Sequence, residues 1–511
     1  MKFIKPILFF IVIFAGTIRF WRIAELGYFM LDEERDAFLV RRMLVDHRPL
    51  LIGGAIPGGI NVGPLFFYIS SIPYFLSNLN PLGPAYAAAL VGILSVAAVY
   101  FIGRKLFDGR IAILATVFSG FSLLNIIYHR PWWPLTMSQL VVLITYLALW
   151  NLTRSDLGVR QGRTLRRWPL ILVGALIIGA QSDPSTLSLI PLSVIWLWWK
   201  RKQIKLSKKL VVGAIGLFLL AHATWFVFEL RHDFLNTRAA VGLFSGVFKG
   251  PALADAKAGP SQTFKMTAGV LYRLFIPTGS LDVTKQISPA EEFLRPRLDG
   301  IWWPGAYILL LIIGYYVIRS VVRELLKGPA LLWQGRALIG LHFIISLTGI
   351  LIYTAAFPGY VHEWMWAFMF PAFFLMVADV IVRLWELVKF TKLHALISFG
   401  NFTGSAVVAI WAFWQLILFT RLANSAGLGP KLEIVQEAQS KTAGRPYELR
   451  SEGQDPLRYG GWRYLFTLYG NPPVKSYMDY VYEGWVYPKL KENPKVILTI
   501  LNQEEIKTEY K

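Results

Sequence analysis

The chain has 511 residues, 55% of them hydrophobic and only 16% charged, with a mean hydropathy of +0.48. A soluble domain carries about 25% charged residues, so a large soluble core is excluded and a polytopic membrane protein is expected in a lipid bilayer. The chain has no cysteine, so it lacks a disulfide framework, a thiolate metal site and a cysteine nucleophile, and its net charge of +21 fits basic cytoplasmic loops rather than nucleic acid.

The chain opens on an apolar run, Ile7 to Phe20, without a small-residue cleavage site, which reads as a retained anchor. Candidate spans follow at 4–22, 84–103, 111–128, 136–152, 168–181, 185–199, 209–228, 302–320, 336–356, 364–384 and 394–420, eleven in all. The stretch "GPLFFYISSIPYFLSNL", 63–79, is short and carries Pro64 and Pro73. Counting it as a span would put the basic loops around Arg104, Lys200 and Arg323 outside, against the positive-inside rule, so it reads as interfacial or re-entrant.

With a cytoplasmic N-terminus, residues 23–83, 229–301 and 421–511 then face outside. Arg19 and Arg22, at the outer end of the first span, run against that rule and have no topological explanation. Leu253–Gly259 reads as a flexible part of the 229–301 loop. The tail mixes polar and aromatic residues and predicts a small α/β domain. The expected fold is an all-α polytopic membrane protein, with about eleven spans plus interfacial helices in residues 1–420 and a small α/β extracytoplasmic domain in 421–511. The multi-pass chain is expected in the plasma (inner) membrane.

Four acids, Asp32, Glu33, Glu34 and Asp36, stand where the chain leaves its first span. After Asp32 the spacing of Ala37, Leu39, Val40, Met43 and Leu44 predicts a helix lying in the interface with its apolar side toward lipid. Asp32 and Glu33 at its start admit two readings: caps for that helix, or functional carboxylates. Other candidates sit at outer span ends: His129 and Arg130, Asp183, Arg231 and His232, and His362 and Glu363, with Arg35 close to the acids. For a single Arg or His the simpler account is an interfacial cation. Trp132, Trp133, Trp364 and Trp366 predict an aromatic belt.

The order "DEERDAFLVRRML" (32–44), "GPLFFYI" (63–69), "RKLFDGR" (104–110), "ILVGALIIGAQSDPSTLSLIPL" (171–192), "FELRHDFLNTRA" (228–239) and "HEWMWAFMFPAFFLMVA" (362–378) resembles the integral-membrane GT-C glycosyltransferases. More narrowly it is similar to the protein O-mannosyltransferase and aminoarabinose-transferase group. The resemblance implies a polyprenyl-phosphate-linked sugar donor and a protein, glycan or lipid acceptor. It implies that Asp32 is the base and that Glu33 supports it or orients the acceptor. Arg35, His129, Arg130, Asp183, Arg231, His232, His362 and Glu363 are then candidates for the donor phosphate or sugar.

Two departures stand out. Gly63 occupies a place where the group commonly has Pro, and its aminoarabinose-transferring members have a Lys before this stretch. The second acid that many relatives carry after the Arg of the 129–135 loop is absent; Asp183 is a candidate to replace it, and an Asp before Pro184 also simply makes a turn. No residue pattern demands a metal, and Glu291 with Glu292 reads as a solvated loop face, though a divalent cation between Asp32 or Glu33 and the phosphate stays compatible. Two rival readings are a polyprenyl-linked glycan flippase or transporter, and a non-catalytic assembly subunit of the same fold.

Overall fold

The computed structural model describes residues 4–27, 29–56, 59–153, 167–204, 207–244, 260–278, 281, 302–327, 331–356, 361–389, 394–424, 427–442, 444–452, 460–480, 486–487, 490, 492–501 and 505–510. Residues 253–259 and the pair Glu291 and Glu292 lie outside them.

Each apolar run predicted from the sequence coincides with helix. The runs fall on Ile4–Phe20, Leu82–Leu106, Gly109–Phe121 with Leu123–Tyr128, Ser138–Thr153, Trp168–Ser182, Leu189–Trp199, Lys208–Ala221 with Ala223–Arg231, Trp303–Lys327, Leu331–Ala356, Phe370–Lys389 and His394–Thr420. Among the described residues five helices are long and apolar enough to cross a membrane, or six if the pair Lys208–Ala221 and Ala223–Arg231, bent by 51°, is one span. Six further apolar helices are shorter. The chain is a multi-pass membrane protein of mostly helical build.

Local chemistry sets the helix ends. Asp108 is extended and accepts from the backbone N–H groups of Arg110 and Ile111, which starts Gly109–Phe121. Ser122 closes that helix and caps Leu123–Tyr128. Buried ion pairs join helices at the end where the basic loops gather. Asp379 receives Arg336 at 2.6 Å and Arg383, one turn away, at 3.0 Å, and Lys200 meets Glu324 at 2.7 Å. Arg19 is fully buried and donates to His129 Nδ1 and to the carbonyls of Ala15, Ser119 and Gly120. It ties the first helix to its neighbour, which accounts for a cation that topology left unexplained. Arg22 adopts left-handed backbone and pairs with Glu25 at 2.6 Å.

The helix Leu65–Leu76 falls inside the segment read as interfacial or re-entrant. Its 12 residues reach about 18 Å, short of a hydrocarbon core of about 30 Å.

Three expectations are corrected. The apolar face of Leu31–Leu44 does not lie on lipid: Ala37, Phe38, Leu39 and Val40 are buried in one core with Phe66, Tyr464, Trp462 and Leu449. Two of the four tryptophans expected in a belt are core residues: Trp366 is fully buried against Phe343, and Trp132 is buried against Phe66 with its N–H donated to Ser70 Oγ at 2.8 Å, while Trp133 and Trp364 are half-buried. The 229–301 segment is not all loop. Leu235–Phe244 is helical, and Pro260–Arg273 is a helix buried from Met266 to Arg273 and packed on Trp303–Lys327. Its polar sequence hid it, because its burial is provided by neighbouring helices and not signalled by apolar runs.

Strands β1 (Ala55–Ile56) and β2 (Ile60–Asn61) form a small antiparallel hairpin between Leu31–Leu44 and Leu65–Leu76. The tail is an α/β unit. Its sheet has the order β4-β3-β5-β6, with β3 (Tyr447–Glu452) parallel to both β4 (Lys475–Ser476) and β5 (Val496–Leu501), and β5 antiparallel to β6 (Glu505–Tyr510). The helices Leu428–Thr442 and Trp462–Tyr469 accompany the sheet.

Candidate active site

The four acids divide sharply. Asp32, in the first turn of Leu31–Leu44, has a side chain 76% exposed and meets Arg35 at 2.9 Å. Glu33 is buried and turned back, accepting from the Met30 N–H at 3.0 Å, and burial beside Asp32 pushes its carboxyl up to about 8. Asp36 is buried against Arg35 at 2.7 Å and is raised by burial to about 6. Glu34 is fully buried and raised by the same cause. It accepts from the backbone N–H groups of Tyr464 and Gly461 and from the Tyr477 hydroxyl, at 2.8, 3.0 and 2.7 Å. Of the four, only Asp32 offers an open carboxylate. Glu33 therefore caps Leu31–Leu44, while the exposed Asp32 carboxylate pairs with Arg35.

His129 receives Arg19, and its ring lies over Gly92, where a Cβ would come within 2.6 Å of it. Arg130 is fully buried; one of its terminal nitrogens donates to the carbonyls of Ile18 and Trp21, and its guanidinium lies over Phe419. Its Nε and Nη1 have no hydrogen-bond partner, so this cation retains donors for an anion. Glu363 is buried in an ion pair with Arg273 and accepts from the Tyr128 hydroxyl at 3.3 Å, which joins three helix ends at one point. His362 stacks on Trp364 at 5.2 Å. Arg231 and His232 are exposed, with the imidazole stacked on Phe228. The segment that carries them reaches the first outer loop through Asn236 Oδ1, which accepts from Asn61 N–H at 2.8 Å.

Gly63 has a physical reason. A Cβ there would sit 2.1 Å from Gln181 Oε1, an atom that accepts from the Leu65 N–H at 3.3 Å. The glutamine occupies the space that a side chain or proline ring would need. Two residues on, Asp183 is buried, caps the turn at Pro184–Ser188 through Ser185 N–H at 2.9 Å, and keeps its other oxygen unpartnered. Burial raises its carboxyl to about 6.

The donor set around Asp32 does not suit a divalent cation: Glu33 faces Met30, Asp36 faces Arg35, and Arg35 itself stands beside the free carboxylate. Among the described residues no three His, Asp or Glu side chains converge as a metal-binding group.

Sequence reasoning missed Arg273, Glu34, Lys431 and Tyr477. Arg273 pairs with Glu363 90 positions away, Glu34 with Tyr477 443 away and Lys431 with Phe29 402 away, and no local spacing announces these pairs.

No protein-family model matches the chain and no curated protein sequence matches it. Solved structures do match. The oligosaccharyltransferase of Archaeoglobus fulgidus in its apo form superposes with a TM-score of 0.54 at 13% identity, over 98% of this chain and 70% of that one. ArnT from Cupriavidus metallidurans bound to undecaprenyl phosphate gives 0.51 at 14% identity, over 96% and 92%. The archaeal enzyme AglB from Archaeoglobus fulgidus, with an inhibitory peptide and a dolichol-phosphate, gives 0.50 at 13% identity, over 97% and 69%. The fold is GT-C-like. In this GT-C-like body, Asp32 lies in the first turn of Leu31–Leu44, the second helix after the first apolar run.

Proposed function

We propose that the chain is a glycosyltransferase. It moves a sugar from a polyprenyl-phosphate carrier to an acceptor hydroxyl on the extracytoplasmic side of the plasma (inner) membrane, with about eleven spans and with inversion at the anomeric carbon. The acceptor hydroxyl, on a protein, glycan or lipid, loses its proton to Asp32 as its oxygen bonds to the anomeric carbon. The bond from that carbon to the carrier phosphate breaks, and the phosphate leaves with the electron pair. A carboxylate must reach the attacking oxygen, and a cationic wall must face the leaving group.

The observation that carries this reading is the exposed Asp32 carboxylate, the one open member of four acids, in the first turn of Leu31–Leu44 in a GT-C-like fold. Two further features support it. Arg130 holds unused donors on a buried guanidinium. An apolar groove of about 910 Å³, lined by Leu172, Leu176, Ile190, Leu197, Val211 and Phe218, suits an isoprenoid tail. The structures of similar fold that contain undecaprenyl phosphate and dolichol-phosphate agree with such a carrier.

The test is a panel of labelled polyprenyl-phosphate sugars incubated with the purified chain and, in parallel, with Asp32→Asn. Consumption of one donor by the parent and its loss in the variant supports the reading. Equal turnover by both removes Asp32 from the chemistry, and donor binding without turnover by the parent favours a scaffolding role.

A further inference from the structure

We propose that Glu34 is a positioning residue, through which the C-terminal α/β unit, rather than the membrane bundle, sets the orientation of Asp32; the functional half of this inference rests on the reading of Asp32 as the base. Helical geometry makes the link. Successive residues turn by about 100°, so positions 32 and 34 point about 200° apart. Fixing Glu34 on the C-terminal side therefore directs Asp32 away from it, toward the open side. Asp36 falls one turn from Asp32, and Arg35 bridges the two, so the exposed side carries its own brace.

The anchoring is dense. The carboxylate of Glu34 takes three donors, two of them from the start of Trp462–Tyr469, where acceptors are needed to satisfy free N–H groups. Gly461 has a φ of 98°, open to glycine, and a Cβ there would stand 2.7 Å from Phe29 O; one on Gly460 would stand 2.9 Å from Leu31 Cα. Two bare glycines thus let the tail approach the backbone immediately before Asp32. Lys431, fully buried beside Glu34 and lowered by that burial to about 7, donates to Phe29 O at 2.7 Å and Gly460 O at 2.6 Å. Asn424 adds Nδ2 donors to Leu26 O and Gly27 O. Residues 26–34 are bonded to 424–477 from several directions. A shift of about 1 Å in a reacting group costs on the order of 100-fold in rate, so such bracing has a chemical use.

The chain has no cysteine, so Asp32→Cys gives one attachment point for a nitroxide in the full-length protein, and Lys105→Cys provides an exposed control far along the chain. The spectrum is recorded with and without Glu34→Ala, Glu34→Gln and Tyr477→Phe. The expected result is a more mobile label at position 32 with Glu34→Ala, a smaller change in the same direction with Tyr477→Phe, near-restoration with Glu34→Gln, and no change at position 105. Unchanged mobility at position 32 in folded Glu34→Ala overturns the proposal. If Glu34→Ala does not fold, Tyr477→Phe decides alone, since it removes a single hydroxyl. No substrate is involved, so failure of sugar transfer in the donor panel and failure of this anchoring are read separately.

Discussion

Asp32 and Glu33 are neighbours in the chain with opposite surroundings: the first side chain is 76% exposed, and the second is buried with its carboxylate folded back onto the Met30 N–H at 3.0 Å. Substitution separates the cap from the proposed base. Asp32→Asn should lower sugar transfer by about 10²- to 10⁴-fold, the usual contribution of a general base, with no change in melting temperature. Initial rates and a thermal melt of both proteins check this.

Glu33 governs a pH dependence of stability. Its folded-state value, about 8, lies above its ordinary 4.5, so the folded form binds the extra proton between them. Its stabilising contribution is complete below pH 4.5 and is lost as pH rises through about 8. Glu33→Gln keeps an oxygen for the Met30 N–H and no longer titrates. The melting temperature of the variant should gain on that of the parent steadily from pH 5 to pH 8, and parallel melts across that range measure it.

The buried pair Arg273 and Glu363 joins the helix Pro260–Arg273 to the turn before Phe370–Lys389. Arg273→Met or Glu363→Met alone leaves one buried charge uncompensated and should destabilise by about 3–5 kcal/mol. The double variant should recover most of that loss, because both charges are then gone. Denaturant unfolding in detergent gives the four values of the cycle.

Gly63 and Gln181 compete for one volume. Gly63→Ala should therefore destabilise the outer end of the bundle, and Gln181→Ala should relieve it, so that the two substitutions together cost less than their sum. A thermal melt of the two single variants and the double variant reads the coupling directly.

Sidedness can be read with single cysteines in this cysteine-free background. His47→Cys and Lys105→Cys are both exposed positions. A membrane-impermeant maleimide applied from outside should label the first and spare the second until the membrane is opened.

Much of the fold was legible because apolar length is a local signal: every predicted span lies on a helix, and Asp379 with Arg383 pairs at helical spacing. The α/β tail was legible as a class, from its mixture of polar and aromatic residues, while its strand order was not. What escaped depends on distant partners. Pro260–Arg273 is polar enough to read as loop, and only its burial among other helices shows that it belongs to the bundle. At the site, position marked Asp32 and Glu33 together and only the family resemblance chose Asp32, whereas the separation of Glu34 from Glu33 needs Gly461, Tyr464 and Tyr477. Arg35 was read from the sequence as a candidate for the donor phosphate, and its place as a brace between Asp32 and Asp36 emerges only from the distances.

The separation in chain order between Glu34 and its donors, 427 to 443 positions, has a consequence for biogenesis. Synthesis runs from the N-terminus, so Leu31–Leu44 is made long before the segment that fastens it. During that interval Glu34 lacks all three of its donors, and Lys431 does not yet exist. Translation of the last portion thus acts as a completion step for the burial of Glu34.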